Sequence, residues 1–137
     1  MNRGGCMNTS ELQGAALDWA VGIAAGYMRL ENGQWVVQLP AVGDGVSLPF
    51  AAGPRCTFSP STRWAQGGPI IEQELNDLFK LHGRVGDPPV WCAAKHVHRD
   101  GHTALLSLTG PTPLVAAMRC FVASRLGDEV DIPEELK

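Results

Sequence analysis

His96 and His98 stand two residues apart. On a strand that spacing puts both imidazoles on one face, where an H-x-H pair can chelate a metal ion. Cys92 and His102 complete a set that reads as metal-ligating on paper. Geometry removes part of that set. Four strand residues separate Cys92 from His96, about 13 Å at roughly 3.3 Å per residue, so one ion cannot bridge them. His102 pairs with Arg99 across a turn and points to the other face. A full coordination shell needs a further ligand, such as His82 or a carboxylate. His96 and His98 are therefore weak metal candidates. The favoured reading is solvated histidines on the outside of a hairpin, with no metal or other cofactor expected.

Cys56 lies beside Arg55, and a cationic neighbour lowers a thiol pKa. One basic neighbour in a loop more often leaves a cysteine inert. No G-x-S-x-G, H-E-x-x-H or P-loop pattern occurs, so no catalytic residue is assigned. Trp64-Ala65-Gln66-Gly67-Gly68-Pro69 is the richest local chemistry. An indole, an amide and two glycines that free their backbone N–H groups can close on a small, anionic ligand. The competing reading is a tight turn anchored on the core by Trp64, and it carries more weight. The expected ligand set is Trp64, Gln66, Gly67, Gly68, Glu72 and Arg119, gathered where Trp64 meets the last helix. Thr112 at that helix's start can also bind an anion, though ordinary capping accounts for it.

The elements that position these groups are legible from pattern. Ser10 and Gln13 suggest a capping box, Leu12, Ala16, Trp19, Ala20 and Ile23 recur at helical spacing, and Gly26 is a C-cap. A helix is expected over 10–25. Asn32-Gly33 between Tyr27–Glu31 and Gln34–Leu39 marks a hairpin. The Gly- and Pro-rich stretch 40–62 reads as a long irregular loop. Residues 70–81 stay open between a helix begun by Pro69 and an edge strand, with helix preferred. Val90–Val97 and Thr103–Leu108 form a second hairpin about Asp100-Gly101. Its core face carries Trp91, Ala93, Val97, Ala104, Leu106 and Leu108, with Lys95 as the exception. Thr112, Pro113 and Gly127 bracket a final helix, with Leu114, Val115, Met118, Phe121 and Val122 on one face.

Composition bounds the function. The chain has 137 residues, 45% hydrophobic and 18% charged, which suits one domain with a real core. The net charge is −3, from 11 basic and 14 acidic side chains. Residues 127–137 hold Lys137 and five of the acids; without them 10 basic and 9 acidic groups remain. A near-neutral body lacks the clustered cations that nucleic acid requires. No apolar run reaches the roughly 18–20 residues of a membrane span. Met1–Cys6 carry one Arg and no apolar stretch follows, so a secretion signal is not expected and a cytoplasmic home is. Cys6, Cys56, Cys92 and Cys120 show no C-x-x-C spacing and are expected to be reduced thiols.

Three stretches carry a resemblance. They are Thr9–Leu12 running on through Gly14–Val21, then Ser59–Glu72, then Gly110–Arg119 continuing through Phe121–Ser124. Together they resemble the phage-encoded NinX-like proteins of phages and prophages over most of residues 9–132. The resemblance implies lineage and setting, and no reaction. Arg63 departs from the acidic residue that the resemblance implies before the Trp, so no role for an acid at 63 carries over.

The expected architecture is α+β: an antiparallel sheet built from two hairpins, with the N- and C-terminal helices packed on it. Residues 1–8 are expected as a flexible leader, 9–130 as one domain and 131–137 as an acidic tail whose removal changes stability little. The first functional expectation is a non-catalytic binding or accessory protein acting on a host or phage protein. The alternative is a small ligand-binding domain or enzyme with a pocket near Trp64 and Arg119. A flat exposed apolar patch favours the first, and a concave cavity with convergent polar groups favours the second.

Overall fold

The computed structural model describes residues 6–38, 47–50, 58–81 and 83–136. Cys56 and its neighbour Arg55, His82, and most of the 40–62 loop lie outside the described residues. The order is β1 (Cys6–Asn8), a 3-10 turn at Thr9–Glu11, α1 (Gly14–Ala25), β2 (Met28–Glu31), β3 (Gln34–Gln38) and β4 (Ser47–Pro49). There follow α2 (Trp64–Glu74), β5 (Asp77–Leu81), β6 (Val90–Arg99), β7 (His102–Gly110), α3 (Pro113–Leu126), β8 (Glu129–Asp131) and a 3-10 turn at Glu134–Leu136. The fold is α+β with antiparallel sheets and helices near both ends. The two hairpins do not pair with each other. Each gains a third strand, giving separate sheets β2-β3-β4 and β5-β6-β7 beside the pair β1-β8.

Both hairpin turns follow from their dipeptides. Asn32 and Gly33 take φ 51° and 79°, and Asp100 and Gly101 take 51° and 77°. Two successive positive φ values make the turn whose twist matches a hairpin, and Asn-Gly and Asp-Gly tolerate it best. The second turn fixes the register Arg99↔His102, His98↔Thr103 and His96↔Leu105.

Helix α3 is the centre of the molecule. The Thr112 Oγ1 accepts from the Val115 N–H at 3.2 Å, Pro113 occupies the first turn, and Gly127 ends the helix at φ 92°. From Leu114 to Ala123 every residue except Arg119 is buried. One apolar face was expected. The helix is instead enclosed on nearly all sides, because α1, α2 and sheet β5-β6-β7 all pack on it. Ala116, Ala117, Cys120 and Ala123 allow that close approach. Lys95 is the expected exception on the core face. Glu74 Oε1 accepts from its Nζ at 2.7 Å and from Arg125 at 3.1 Å, which ties β6, α2 and α3 together.

Three boundaries differ from expectation. Ser10 falls in the 3-10 turn, no side chain caps α1, and the helix begins at Gly14, whose φ of 57° redirects the chain. The stretch 70–81 is divided: α2 runs to Glu74, Leu75 turns extended, and Asp77–Leu81 form β5 against β6. Pro69 lies inside α2 rather than at its start. It removes one helical donor, and the Ala65 carbonyl so released is on an exposed residue. The loop expected over 40–62 contains β4, paired with β3.

The chain ends are also joined. Cys6, Met7 and Asn8 pair with Asp131, Val130 and Glu129, inside the expected leader and across the expected tail boundary. Val130 and Ile132 are buried in the core. Fully burying an apolar side chain of that size contributes roughly 1.5–3 kcal/mol. The expectation that losing 131–137 matters little is therefore corrected: Ile132 belongs to the core.

Candidate functional site

A cleft of about 240 Å³ opens where α2 and α3 begin, lined by Ser61, Thr62, Trp64, Thr112, Pro113 and Leu114. Its floor is built from the turn before α2. The Thr62 and Arg63 N–H groups donate to the Ser59 carbonyl at 3.0 and 2.8 Å, closing a tight turn. The Ser59 N–H donates to Gln66 Oε1 at 2.6 Å, and the Ser61 N–H donates to Asp18 Oδ1 at 2.8 Å. Asp18 thus pins the turn to α1 from behind the cleft. A Cβ added at Gly67 would lie 2.5 Å from the Pro60 carbonyl oxygen and 2.7 Å from Leu114 Cδ2. Glycine there is what lets α2 sit against the turn and α3.

Asp18 is 5% exposed, and burial pushes its carboxyl up from 3.8 to about 6, against the lowering effect of Ser61 and Arg63. The Ser61 hydroxyl lies near enough to favour the ionised carboxylate. It makes no hydrogen bond of regular geometry among the described residues, although Ser61 is only 2% exposed.

The expected ligand set is only partly assembled. Trp64 lines one cleft with the N-terminal end of the final helix, but the residue is 55% exposed and does not anchor the loop. Phe58, which is fully buried and set edge-on to Tyr27, does that. Gln66 and Gly67 serve the turn itself. Gly68 faces open space and Glu72 is exposed. Arg119 lies elsewhere. Its Nε donates to the Leu12 carbonyl at 2.7 Å and its Nη1 to the Thr109 carbonyl at 2.9 Å. Five residues separate it from Leu114, about 140° around the helix at 100° per residue. It clamps the entry to α1 onto the end of β7, and burial lowers its pKa from the ordinary value.

Asp18 and Ser61 are the residues that sequence reasoning missed. The available signal was a single acid inside the otherwise apolar run Gly14–Ala25. His96 and His98 are both exposed, and His98 Nδ1 pairs with the Thr103 hydroxyl at 2.9 Å. Among the described residues no group of three or more His, Cys, Asp or Glu is placed to hold a metal ion. Cys120 is buried, which pushes its thiol up to about 11 and leaves it a poor nucleophile.

A second surface stands out on the far side of the sheet. In the register Phe79↔Cys92, Leu81↔Val90 and His96↔Leu105, side chains of one parity point away from α3. Phe79, Leu81 and Val90 adjoin at one end of that face, and Leu105 stands further along, opposite His96 and between Thr103 and Ser107; all four apolar residues are exposed, Phe79 at 45% and Leu105 at 59%. Cys92 and Ala94 between them are small and buried, so the face is shallow. Val85, fully exposed, sits on the loop joining β5 to β6.

These features define a small α+β domain with a shallow cleft at two helix starts and an outer sheet face that bears four exposed apolar side chains. Among the described residues, no helix is long and apolar enough to cross a membrane. The family model described as bacteriophage P22, NinX matches residues 8–125, and the chain belongs to that phage family. No curated protein matches it.

Proposed function

We propose that this phage-type protein is a non-catalytic accessory protein that acts by binding a host or phage protein through the outer face of sheet β5-β6-β7. One observation carries the reading. Four of the seven large apolar side chains exposed among the described residues stand on this single face. Exposed apolar groups scattered singly need no explanation, but Phe79, Leu81 and Val90 adjoin at one end of the face, with Leu105 further along β7, and such a grouping on a sheet marks an interaction surface. The opposite face packs on α3, and the exposure of these four side chains makes them available to an external partner. The chemistry fits a protein whose contact surface is itself apolar. Nucleic acid is disfavoured, since the four side chains are uncharged and the body of the chain is near neutral. A cytoplasmic setting, where phage and host proteins meet, accords with this reading.

A photo-activatable amino acid at position 105 tests it, in cells where a phage carrying this gene replicates. The expected product is one heterologous adduct, absent when the same group is placed at exposed position 72 and lost on Phe79→Asp. A cross-link only to a second copy of the chain, or the same products from both positions, would overturn the proposal.

A further inference from the structure

The outer face ends at β7, and the free edge of that strand has a chemistry of its own. The sheet order β5-β6-β7 leaves β7 paired on one side only. The two-residue turn makes Arg99↔His102 a hydrogen-bonded pair, and such pairs alternate along an antiparallel ladder. His102, Ala104, Leu106 and Leu108 therefore turn their N–H and C=O groups to β6, while Thr103, Leu105 and Ser107 turn theirs outwards. Two bonds agree with that parity. Arg119 takes the outward carbonyl of Thr109, and the N–H of His96, opposite Leu105, turns away from β7 to Asn76 Oδ1. Among the described residues, no other backbone pairs with Thr103, Leu105 or Ser107 on the outward side.

Sheet edges are normally protected, because unpaired backbone is a template for a further strand. Every other edge among the described strands has such protection. β1, β4 and β8 are three residues long, β2 carries Arg29 and Glu31, and β5 carries Asp77 and Lys80. β7 has nine residues, contains no Lys, Arg, Asp, Glu or Pro, and pairs with β6 without a bulge.

An independent observation is a cleft of about 230 Å³ along this edge, lined on one side by Leu106, Ser107 and Leu108. Successive strand side chains alternate between faces, so the surface these three share is the strand's edge. Thr9, Ser10 and Asp128 form the other side. That side is held in place: the Thr9 N–H donates to the Asp128 carbonyl at 2.8 Å, and the Thr9 hydroxyl donates to the Gly127 carbonyl at 2.7 Å. Asp128 is the one charged residue lining the cleft, and it is exposed.

We propose that β7 accepts an extended, basic segment of a partner protein as a fourth strand of the sheet. The main chain of that segment would exchange hydrogen bonds with Thr103, Leu105 and Ser107, and a Lys or Arg side chain would reach Asp128 through the cleft. A second copy of the chain is the poorer occupant, since its β7 offers no Lys or Arg to Asp128. The inference rests on the reading that the partner is a protein, and adds the element by which it binds. The added strand would continue the outer face beside Leu105.

A capped peptide of alternating threonine and valine with a lysine at its centre tests this, by NMR with the full chain. Amide exchange at Thr103, Leu105 and Ser107 is expected to slow in one saturable process, with inter-strand NOEs from these residues to the peptide. Glutamate in place of the lysine should weaken binding about fivefold, the order of an exposed ion pair, and Asp128→Asn should remove that preference. N-methylation of alternate peptide amides should abolish binding, whereas Phe79→Asp should leave it intact. Peptide pairing without a heterologous cross-link from position 105 would sink the outer-face reading alone, and the cross-link without pairing would sink this proposal alone. Absence of saturable pairing, equal binding of the N-methylated peptide, pairing along β5 instead, or exchange that slows with the chain's own concentration would overturn it.

Discussion

Replacing Asp18 by Asn isolates the energetics behind the cleft. Asp18 is buried, and its carboxyl titrates near 6 in the folded protein against an ordinary 3.8. Desolvation disfavours the charged form and outweighs the Ser61 hydroxyl, the Ser61 N–H and the Arg63 charge, which favour it. The folded state therefore holds the proton more tightly than the unfolded chain. With a raised pKa, stability is greatest below the unfolded value of 3.8 and declines as pH rises to about 6. A difference of about 2 units at 1.36 kcal/mol each gives a penalty of up to about 3 kcal/mol above pH 6. Asn keeps an oxygen in place of Oδ1 for the Ser61 N–H and cannot ionise. Urea unfolding of both proteins from pH 4 to pH 8 reads the effect, because other carboxylates largely cancel in the difference. The stability of Asp18→Asn relative to wild type should climb between pH 4 and about 6.5, then level off. A flat difference would mean burial does not control this group. A difference falling with pH would mean the hydrogen bond and Arg63 win, and the reasoning would be refuted.

Two further substitutions follow from the packing. Ile132→Ala should cost about 2–4 kcal/mol in urea unfolding, as for other fully buried aliphatic side chains, and a change within about 0.5 kcal/mol would show that β8 frays in solution. Arg119→Ala frees the Leu12 and Thr109 carbonyls and should cost about 2–3 kcal/mol in urea unfolding, and a change within about 0.5 kcal/mol would show that this clamp does not hold α1 to β7.

The legible parts of the fold were those with local causes. Asn32-Gly33 and Asp100-Gly101 dictate their turns by tolerating positive φ, and Thr112-Pro113 with Gly127 delimits α3. What escaped was decided by distant partners. Nothing local in Asp77–Leu81 separates helix from strand; pairing with β6 does. The acidic residues around Val130 suggested a solvated tail, yet Cys6–Asn8 supply a strand for it and the core takes Ile132. Trp64 lines a cleft with the start of α3 but stays exposed, and Phe58 holds the buried place expected for it. Arg119 was placed by its type, as a cation free for a ligand, whereas two backbone carbonyls at remote positions claim it. The outer sheet face is visible only once β5 joins the hairpin, since Phe79 and Leu81 read equally well as the buried side of a helix.

Whether that outer face meets a partner is most directly answered by hydroxyl-radical footprinting. Oxidation of each side chain would be compared between the purified chain and the same chain in extract from cells where the phage replicates. The account requires protection concentrated at Phe79, Leu81, Val90 and Leu105, with exposed Leu30, on a different sheet, oxidised equally in both samples. Equal oxidation of the four residues with and without extract would contradict it, as would protection that grows with the concentration of the purified chain alone.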